Sequence, residues 1–175
     1  MMQTLSRNQK GMTFIEMMIV IAIVAIVVSM TGIGISFAYS KDAQVCARSI
    51  DEQLSNLRML SMGKQGTWEL EIQSNSSENM IYVMQDGAIL ETVCLPRKVE
   101  LSYDIGDGVL QRGNMKLAFH KSEGSIGKLE FVTESGSVIT TIPGYITIYV
   151  KSDNAQKEAK VILVTATGKH YVEYE

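Results

Sequence analysis

Few side chains in this sequence have the types and spacing that catalysis or metal binding requires. The two histidines, His120 and His170, have no Cys, Asp or Glu at metal-ligand spacing, and both are expected on a sheet surface. Serines are numerous, but there is no Gly-x-Ser-x-Gly turn, and no pattern places a serine beside a histidine. No phosphate-binding or calcium-binding loop occurs either. The sequence therefore predicts no enzyme, no metal site and no other cofactor.

The two cysteines, Cys46 and Cys94, allow at most one disulfide. Cys46 lies in a predicted helix and Cys94 in a predicted strand. The sequence alone does not place their Cα atoms within bonding distance. Two free cysteines are slightly favoured, and a disulfide is left open.

Glu16 is a carboxylate in an unusual setting. The 24 residues that follow it carry no charged side chain, and the next charge is Lys41. As a helix this run is roughly 36 Å long, enough to cross a bilayer core of about 30 Å. Residues 12–40 are therefore predicted to form a transmembrane helix. A carboxylate one turn inside such a helix is costly and is expected to have a specific partner.

Three interpretations of residues 1–40 compete. A secretory signal would be cut after Ser40, but its apolar part would be unusually long and would contain Glu16. A plain single-pass anchor agrees with Arg7 and Lys10, which favour a cytoplasmic N-terminus, but it gives Glu16 no role. The third interpretation rests on the order of a basic leader, a glycine, a glutamate and an apolar helix.

That order, in Gly11-Met12-Thr13-Phe14-Ile15-Glu16, resembles the processing site of type IV prepilins. The resemblance implies a leader of residues 1–11, cleavage by a prepilin peptidase after Gly11, and N-methylation of Met12. It also implies assembly with other pilin or pseudopilin subunits through an inner-membrane platform. The sequence departs from the common pattern at Met12, where many members have phenylalanine.

Cleavage after Gly11 would give Met12 a charged amine four residues before Glu16. Residues four apart lie on one helix face, and opposite charges there offset part of each other's desolvation cost. The resemblance implies that Glu16 is an assembly contact that aligns an incoming subunit. Whether the amine belongs to the same chain or to a neighbour stays open.

Gly32 and Gly34 take the place of the helix-bending proline found in many pilins. Each glycine costs about 1 kcal/mol of helix stability relative to alanine. The helix is predicted to bend or melt there on assembly. Equally, these glycines could allow close approach of a neighbouring helix.

The helix is predicted to continue through residues 41–63 as an amphipathic half. An apolar stripe with spacings of three and four supports this, and it consists of Cys46, Ile50, Leu54, Leu57 and Leu60. Residues 67–175 alternate between apolar and polar residues and predict strands, with an Asp86-Gly87 hairpin and a polar loop over 151–160. The predicted fold class is α+β, a long N-terminal helix packed on antiparallel sheet.

The closing strands resemble those of GspH/FimT-type minor pilins and pseudopilins in Phe131–Gly136, Gly144–Ile148 and Val161–Lys169. Some relatives bind DNA through arginines after the last glycine. Here the tail after Gly168 has one lysine and two glutamates, and the chain without its leader has 14 basic and 19 acidic residues, a charge of −5. DNA binding is therefore not supported.

The sequence thus predicts a minor pilin or pseudopilin of a pilus-like or secretion filament. It would begin as a single-pass membrane precursor with a cytoplasmic N-terminus. After processing it would join an extracytoplasmic or cell-surface filament. The alternative is an unprocessed, membrane-anchored extracytoplasmic domain that binds a partner and never polymerises.

Overall fold

The computed structural model describes residues 14–75, 78–152 and 158–174, and of residues 27–40 only the backbone is described. One long helix is followed by strands in this part of the chain, which confirms the predicted α+β class. Two compact units are distinguished, Met1–Ser36 and Phe37–Glu175.

The elements follow in chain order. They are α1 Phe14–Gly63, β1 Trp68–Ser74, β2 Asn79–Gln85, β3 Ala88–Cys94, β4 Val99–Asp104, β5 Gly113–Phe119, β6 Ile126–Thr133, β7 Val138–Ile139, β8 Tyr145–Ser152, β9 Glu158–Val164 and β10 Lys169–Tyr174.

Helix α1 runs without a break from Phe14 to Gly63, and Gly32 and Gly34 lie within it. Among the described residues, no helix has both the length and the apolarity that a membrane crossing requires. The transmembrane stretch was predicted for residues 12–40. Residues 12 and 13 and the side chains of residues 27–40 lie outside the described part of the chain.

The strands form two antiparallel sheets. Six strands make the first sheet, in the order β3-β2-β1-β5-β6-β7. The second has four, in the order β10-β9-β8-β4. The predicted hairpin is present: Asp86 and Gly87 join β2 to β3, both with positive φ (51° and 84°), as a two-residue hairpin turn requires.

The predicted loop over residues 151–160 is shorter than expected. Strand β8 extends to Ser152 and β9 begins at Glu158, where Lys151 pairs with Glu158. Ser152 and Ala159 are buried and continue the alternation of buried and more exposed residues along the two strands. This alternation was hard to recognise in the sequence because the stretch contains many charged residues. Residues 153–157 lie outside the described part.

The apolar stripe of α1 lies in the core as predicted. Cys46, Ile50, Leu54 and Leu57 are completely buried, and Leu60 is half-buried at the edge of the same cluster. The core-facing strand residues alternate with exposed or half-buried ones and come from both sheets, among them Leu70, Tyr103, Phe131, Ile148 and Val161. One core therefore joins the second half of α1 to both sheets.

Candidate functional site

The described start of α1 is apolar and exposed. Ten large apolar side chains between Phe14 and Ile26 are 46–83% exposed. An exposed apolar surface of this length is costly in water, so another apolar surface or a lipid phase must cover it. Glu16, in the first turn, is the acidic residue of this stretch, and it is also exposed.

The structure describes the remaining predicted site residues only in part. Gly11 and Met12, the predicted cleavage and methylation site, lie outside it. Gly32 and Gly34 are helical, and the structure describes no side-chain surroundings there. The structure therefore places Glu16 in the first described turn of α1.

A polar seam joins the second half of α1 to β10 and to the turn before it. Arg48 Nε donates to Tyr174 Oη at 3.0 Å. Ten residues further along, Arg58 donates to two carbonyl oxygens, of Gly124 at 3.1 Å and of Thr167 at 3.0 Å. The positions 48, 51, 55 and 58 are three or four apart and share one helix face.

The middle of the seam is a Ser–His pair. Ser55 Oγ lies 2.8 Å from His170 Nε2, and the other ring nitrogen, Nδ1, lies 3.1 Å from the carbonyl oxygen of Gly168. Asp51 Oδ1 is 3.8 Å from Nε2. The His170 side chain is 7% exposed, so the prediction that it lies on the sheet surface was wrong. His120, in contrast, is exposed as predicted.

Ser55 and His170 are 115 residues apart in the chain, so no local motif predicts that they meet. A hint lay in the phase of the helix, which places Ser55 directly beside the buried stripe at Leu54. Only the packing of β10 against that edge brings the histidine to it.

A shallow groove of about 400 Å³ opens beside this pair. Its lining consists of Ser55, Arg58, Met59, Met62 and His170. Met59 and Met62 are 66% and 49% exposed, so the floor is largely apolar and adaptable. The guanidinium of Arg58 supplies a fixed positive charge at its wall.

A second cleft, of about 240 Å³, lies near the start of β4 and is lined mostly by polar side chains. Arg97 pairs with Glu78 at 2.9 Å, and Arg112 pairs with Glu100. Both arginines that line the cleft therefore already have an acidic partner on the chain, and neither is left unpaired for an anionic ligand.

Glu69 forms a charge cluster on the outer side of the first sheet. Its two oxygens lie 2.9 Å from Lys116 Nζ and 2.8 Å from Lys128 Nζ, and its side chain is 10% exposed. Burial alone would raise the pKa of Glu69, but hydrogen bonds from Lys128 and Lys116 outweigh it and lower that pKa. The same contact raises the pKa of Lys128. The cluster is stabilised as charged and is not prepared for proton transfer near neutral pH.

Cys46 and Tyr103 bury polar groups in the core. Burial raises the pKa of the Cys46 thiol to about 12 and also raises the pKa of the Tyr103 hydroxyl. Neither Cys46 nor Tyr103 is therefore reactive at neutral pH.

The two cysteines are free, and Cys94, at the end of β3, is exposed.

No group of three or more His, Cys, Asp or Glu side chains within residues 14–75, 78–152 and 158–174 has a metal-binding arrangement.

Comparison with known proteins identifies the N-terminal segment. Residues 6–32 match the model of the prokaryotic N-terminal methylation motif. No curated protein and no solved structure is significantly similar to the chain. The matched range contains Gly11, Met12 and Glu16 and continues into the exposed apolar start of α1. The chain therefore carries the N-terminal signature of type IV prepilins, which implies processing by a prepilin peptidase and assembly with other pilins.

Proposed function

We propose that this chain is a structural subunit, a minor pilin or pseudopilin, of a type IV pilus-like or type II secretion-like filament. It is made as a single-pass membrane precursor with a cytoplasmic N-terminus, cleaved after Gly11 and methylated on Met12. An inner-membrane platform then moves it from the bilayer into a filament. Its work is mechanical assembly and not catalysis.

The match of residues 6–32 to the methylation motif carries this proposal. The exposed apolar side chains of Phe14–Ile26 support it, since they need a covering surface both before and after assembly. Lipid covers them first and the helices of other subunits afterwards. Burial of this apolar area stabilises the helix both in the bilayer and in the filament. The transfer from one to the other therefore need not expose the helix to water.

The proposed role of Glu16 is electrostatic. A carboxylate among apolar helices is stable there only beside an opposite charge, and the amine created at Met12 is the nearest one that processing supplies. Methylation keeps that charge. Gly32 and Gly34 are the proposed positions where the helix bends or melts during assembly.

The mass of the mature N-terminus tests the processing. We expect a chain that starts at a methylated Met12 when the protein is purified from cells with the peptidase, and one that starts at Met1 without it. A chain that keeps Met1 in both cells would contradict the proposal and favour the unprocessed, membrane-anchored binding domain. Replacing Gly11 with a bulky residue should block cleavage.

Filament incorporation tests the role of Glu16. Glu16→Val should leave cleavage intact but reduce the amount of subunit in sheared filaments. Glu52→Val is the matched control, because Glu52 is an exposed acid on the same helix. Equal incorporation of both variants would remove the assembly role from Glu16.

The assignment as a minor subunit rests on the likeness of the closing strands to minor pilins and pseudopilins. Quantitative mass spectrometry of purified filaments tests it. We expect this chain to be a small fraction of the filament mass. If it is the main component, it is a major pilin.

A further inference from the structure

The Ser55–His170 pair has the geometry of a hydroxyl beside a general base. The carbonyl oxygen of Gly168 can only accept a hydrogen bond, so the proton of the neutral imidazole lies on Nδ1, 3.1 Å from it. Nε2 is then free to accept the Ser55 hydroxyl proton across 2.8 Å. A base within hydrogen-bond distance, itself oriented by a third group, is the arrangement that activates a serine.

The carbonyl group of Gly168, which orients the His170 ring, belongs to a tight turn. Gly168 has a φ of 63°, and a side chain there would collide with the carbonyl oxygen of Gly124. Arg58 fixes the same place from the helix side through the carbonyls of Gly124 and Thr167. His170 is therefore presented to Ser55 by a backbone that has little freedom to move.

Asp51 places a carboxylate near His170 Nε2, the atom that would accept the Ser55 proton. Its Oδ1 is buried, has no hydrogen-bond partner, and lies 3.8 Å from His170 Nε2. The carboxylate oxygen therefore lies beside the place where positive charge develops as the Ser55 proton moves to Nε2.

The adjoining groove indicates the kind of group that would react. Met59 and Met62 offer an exposed apolar floor beside Ser55, and Arg58 places a positive charge at the same wall. An acyl group with an apolar chain fits this combination, because its chain can lie on the methionines and its carbonyl oxygen can face the guanidinium.

We propose that Ser55 is a modification site that accepts an apolar acyl group from an activated ester or thioester. Ser55 Oγ attacks the carbonyl carbon while its proton passes to His170 Nε2. The bond to the leaving alcohol or thiol then breaks, and the leaving group takes that proton. Ser55 ends as an ester and His170 as a neutral imidazole.

The proposed reaction is a single transfer to Ser55. Ser55 lies inside α1, where the backbone N–H groups of its neighbours are directed along the helix and cannot form an oxyanion hole. Because acyl transfer passes through a tetrahedral oxyanion, the reaction depends on a donor that is already activated, such as a thioester. The site is independent of the proposed filament role.

An alkyl fluorophosphonate tests the proposal, since it reacts with activated serines and mimics the acyl donor. The full chain in nonionic detergent should acquire one adduct, which peptide mass spectrometry should locate at Ser55. Ser55→Ala should remove the adduct, and His170→Asn should slow labelling by about 100-fold. Ser49→Ala, a matched change on the same helix, should label like the wild type. A probe with a polar linker should label more slowly than the alkyl one.

Thermal unfolding and circular dichroism establish that each variant is folded. If His170→Asn unfolds, Asp51→Asn replaces it and should slow labelling several-fold. Absence of an adduct on the folded wild-type chain would overturn the proposal. So would an adduct at Ser55 that forms equally fast in a folded His170→Asn or Asp51→Asn chain.

Discussion

Glu69 shows how a single nearly buried charge can stabilise this fold. Lys116 in the adjoining strand β5 and Lys128 in β6, one strand further, satisfy both carboxylate oxygens. The lowered pKa of Glu69 means that the folded state prefers the ionised form. Its contribution is fully present above the ordinary pKa of 4.5 and is lost as the pH falls through the lowered folded value.

Glu69→Gln should lower the free energy of unfolding at pH 7 by about 2 kcal/mol, since two charge-assisted hydrogen bonds are weakened. Below the folded pKa of Glu69, the difference between variant and wild type should shrink. Thermal unfolding of both chains from pH 7 to pH 3 measures this. A difference that stays constant over that range would contradict the role of the ionised carboxylate.

The two cysteines should differ sharply in reactivity. Cys46 is completely buried with a pKa of about 12, whereas Cys94 is exposed. Iodoacetamide at pH 8 should modify Cys94 alone in the folded chain and both cysteines in denaturant. Mass spectrometry of the intact protein counts the adducts. A native chain with two adducts would show that the core around Cys46 opens readily.

At the scale of elements, the seam between α1 and β10 combines an apolar stripe with polar contacts along its edge. Leu54 and Leu57 fill the core, while Arg58, one residue further, donates to two loops. These carbonyls belong to turns that have no strand partner at that point. Arg58 thus satisfies backbone groups that would otherwise depend on solvent.

Arg58→Ala should destabilise the chain by about 2 kcal/mol, because two carbonyl oxygens lose a charged donor. Arg97→Ala is the control, since Arg97 is 78% exposed and its pair with Glu78 should contribute less than about 1 kcal/mol. Denaturant unfolding of both variants gives the comparison. Equal losses would show that the Arg58 contacts add no more than a surface ion pair.

At the scale of the whole molecule, the two compact units differ in what stabilises them. The buried core within the described residues begins at Ala43 and lies wholly in the unit Phe37–Glu175. The described side chains of the other unit, residues 14–26, are exposed. We therefore expect the second unit to fold without the first.

A chain that begins at Phe37 should fold, and its melting temperature should lie within about 2 °C of that of the full chain in the same detergent. Its solubility should rise, because the exposed apolar stretch is gone. Circular dichroism and size-exclusion chromatography measure both properties. A truncated chain that is unfolded or melts much earlier would show that residues 1–36 stabilise the sheet unit.

Much of this protein could be predicted from its sequence, because the decisive patterns are local. The processing segment is a contiguous motif around Gly11 and Glu16, and the apolar stripe of α1 follows helical spacing. Strand positions followed from alternation, and the Asp86-Gly87 turn from the positive φ that such a hairpin requires. Each of these depends on residues that are neighbours in the chain.

Tertiary structure alone decided how distant residues meet. The division into two sheets depends on β4 pairing with β8, and the Glu69 cluster on strands that are far apart in sequence. Ser55 meets His170 only because β10 packs beside one edge of α1. No local spacing encodes such contacts, since they arise when the core brings remote segments together. The prepilin signature is thus local, and the proposed acyl-accepting site is a product of the fold.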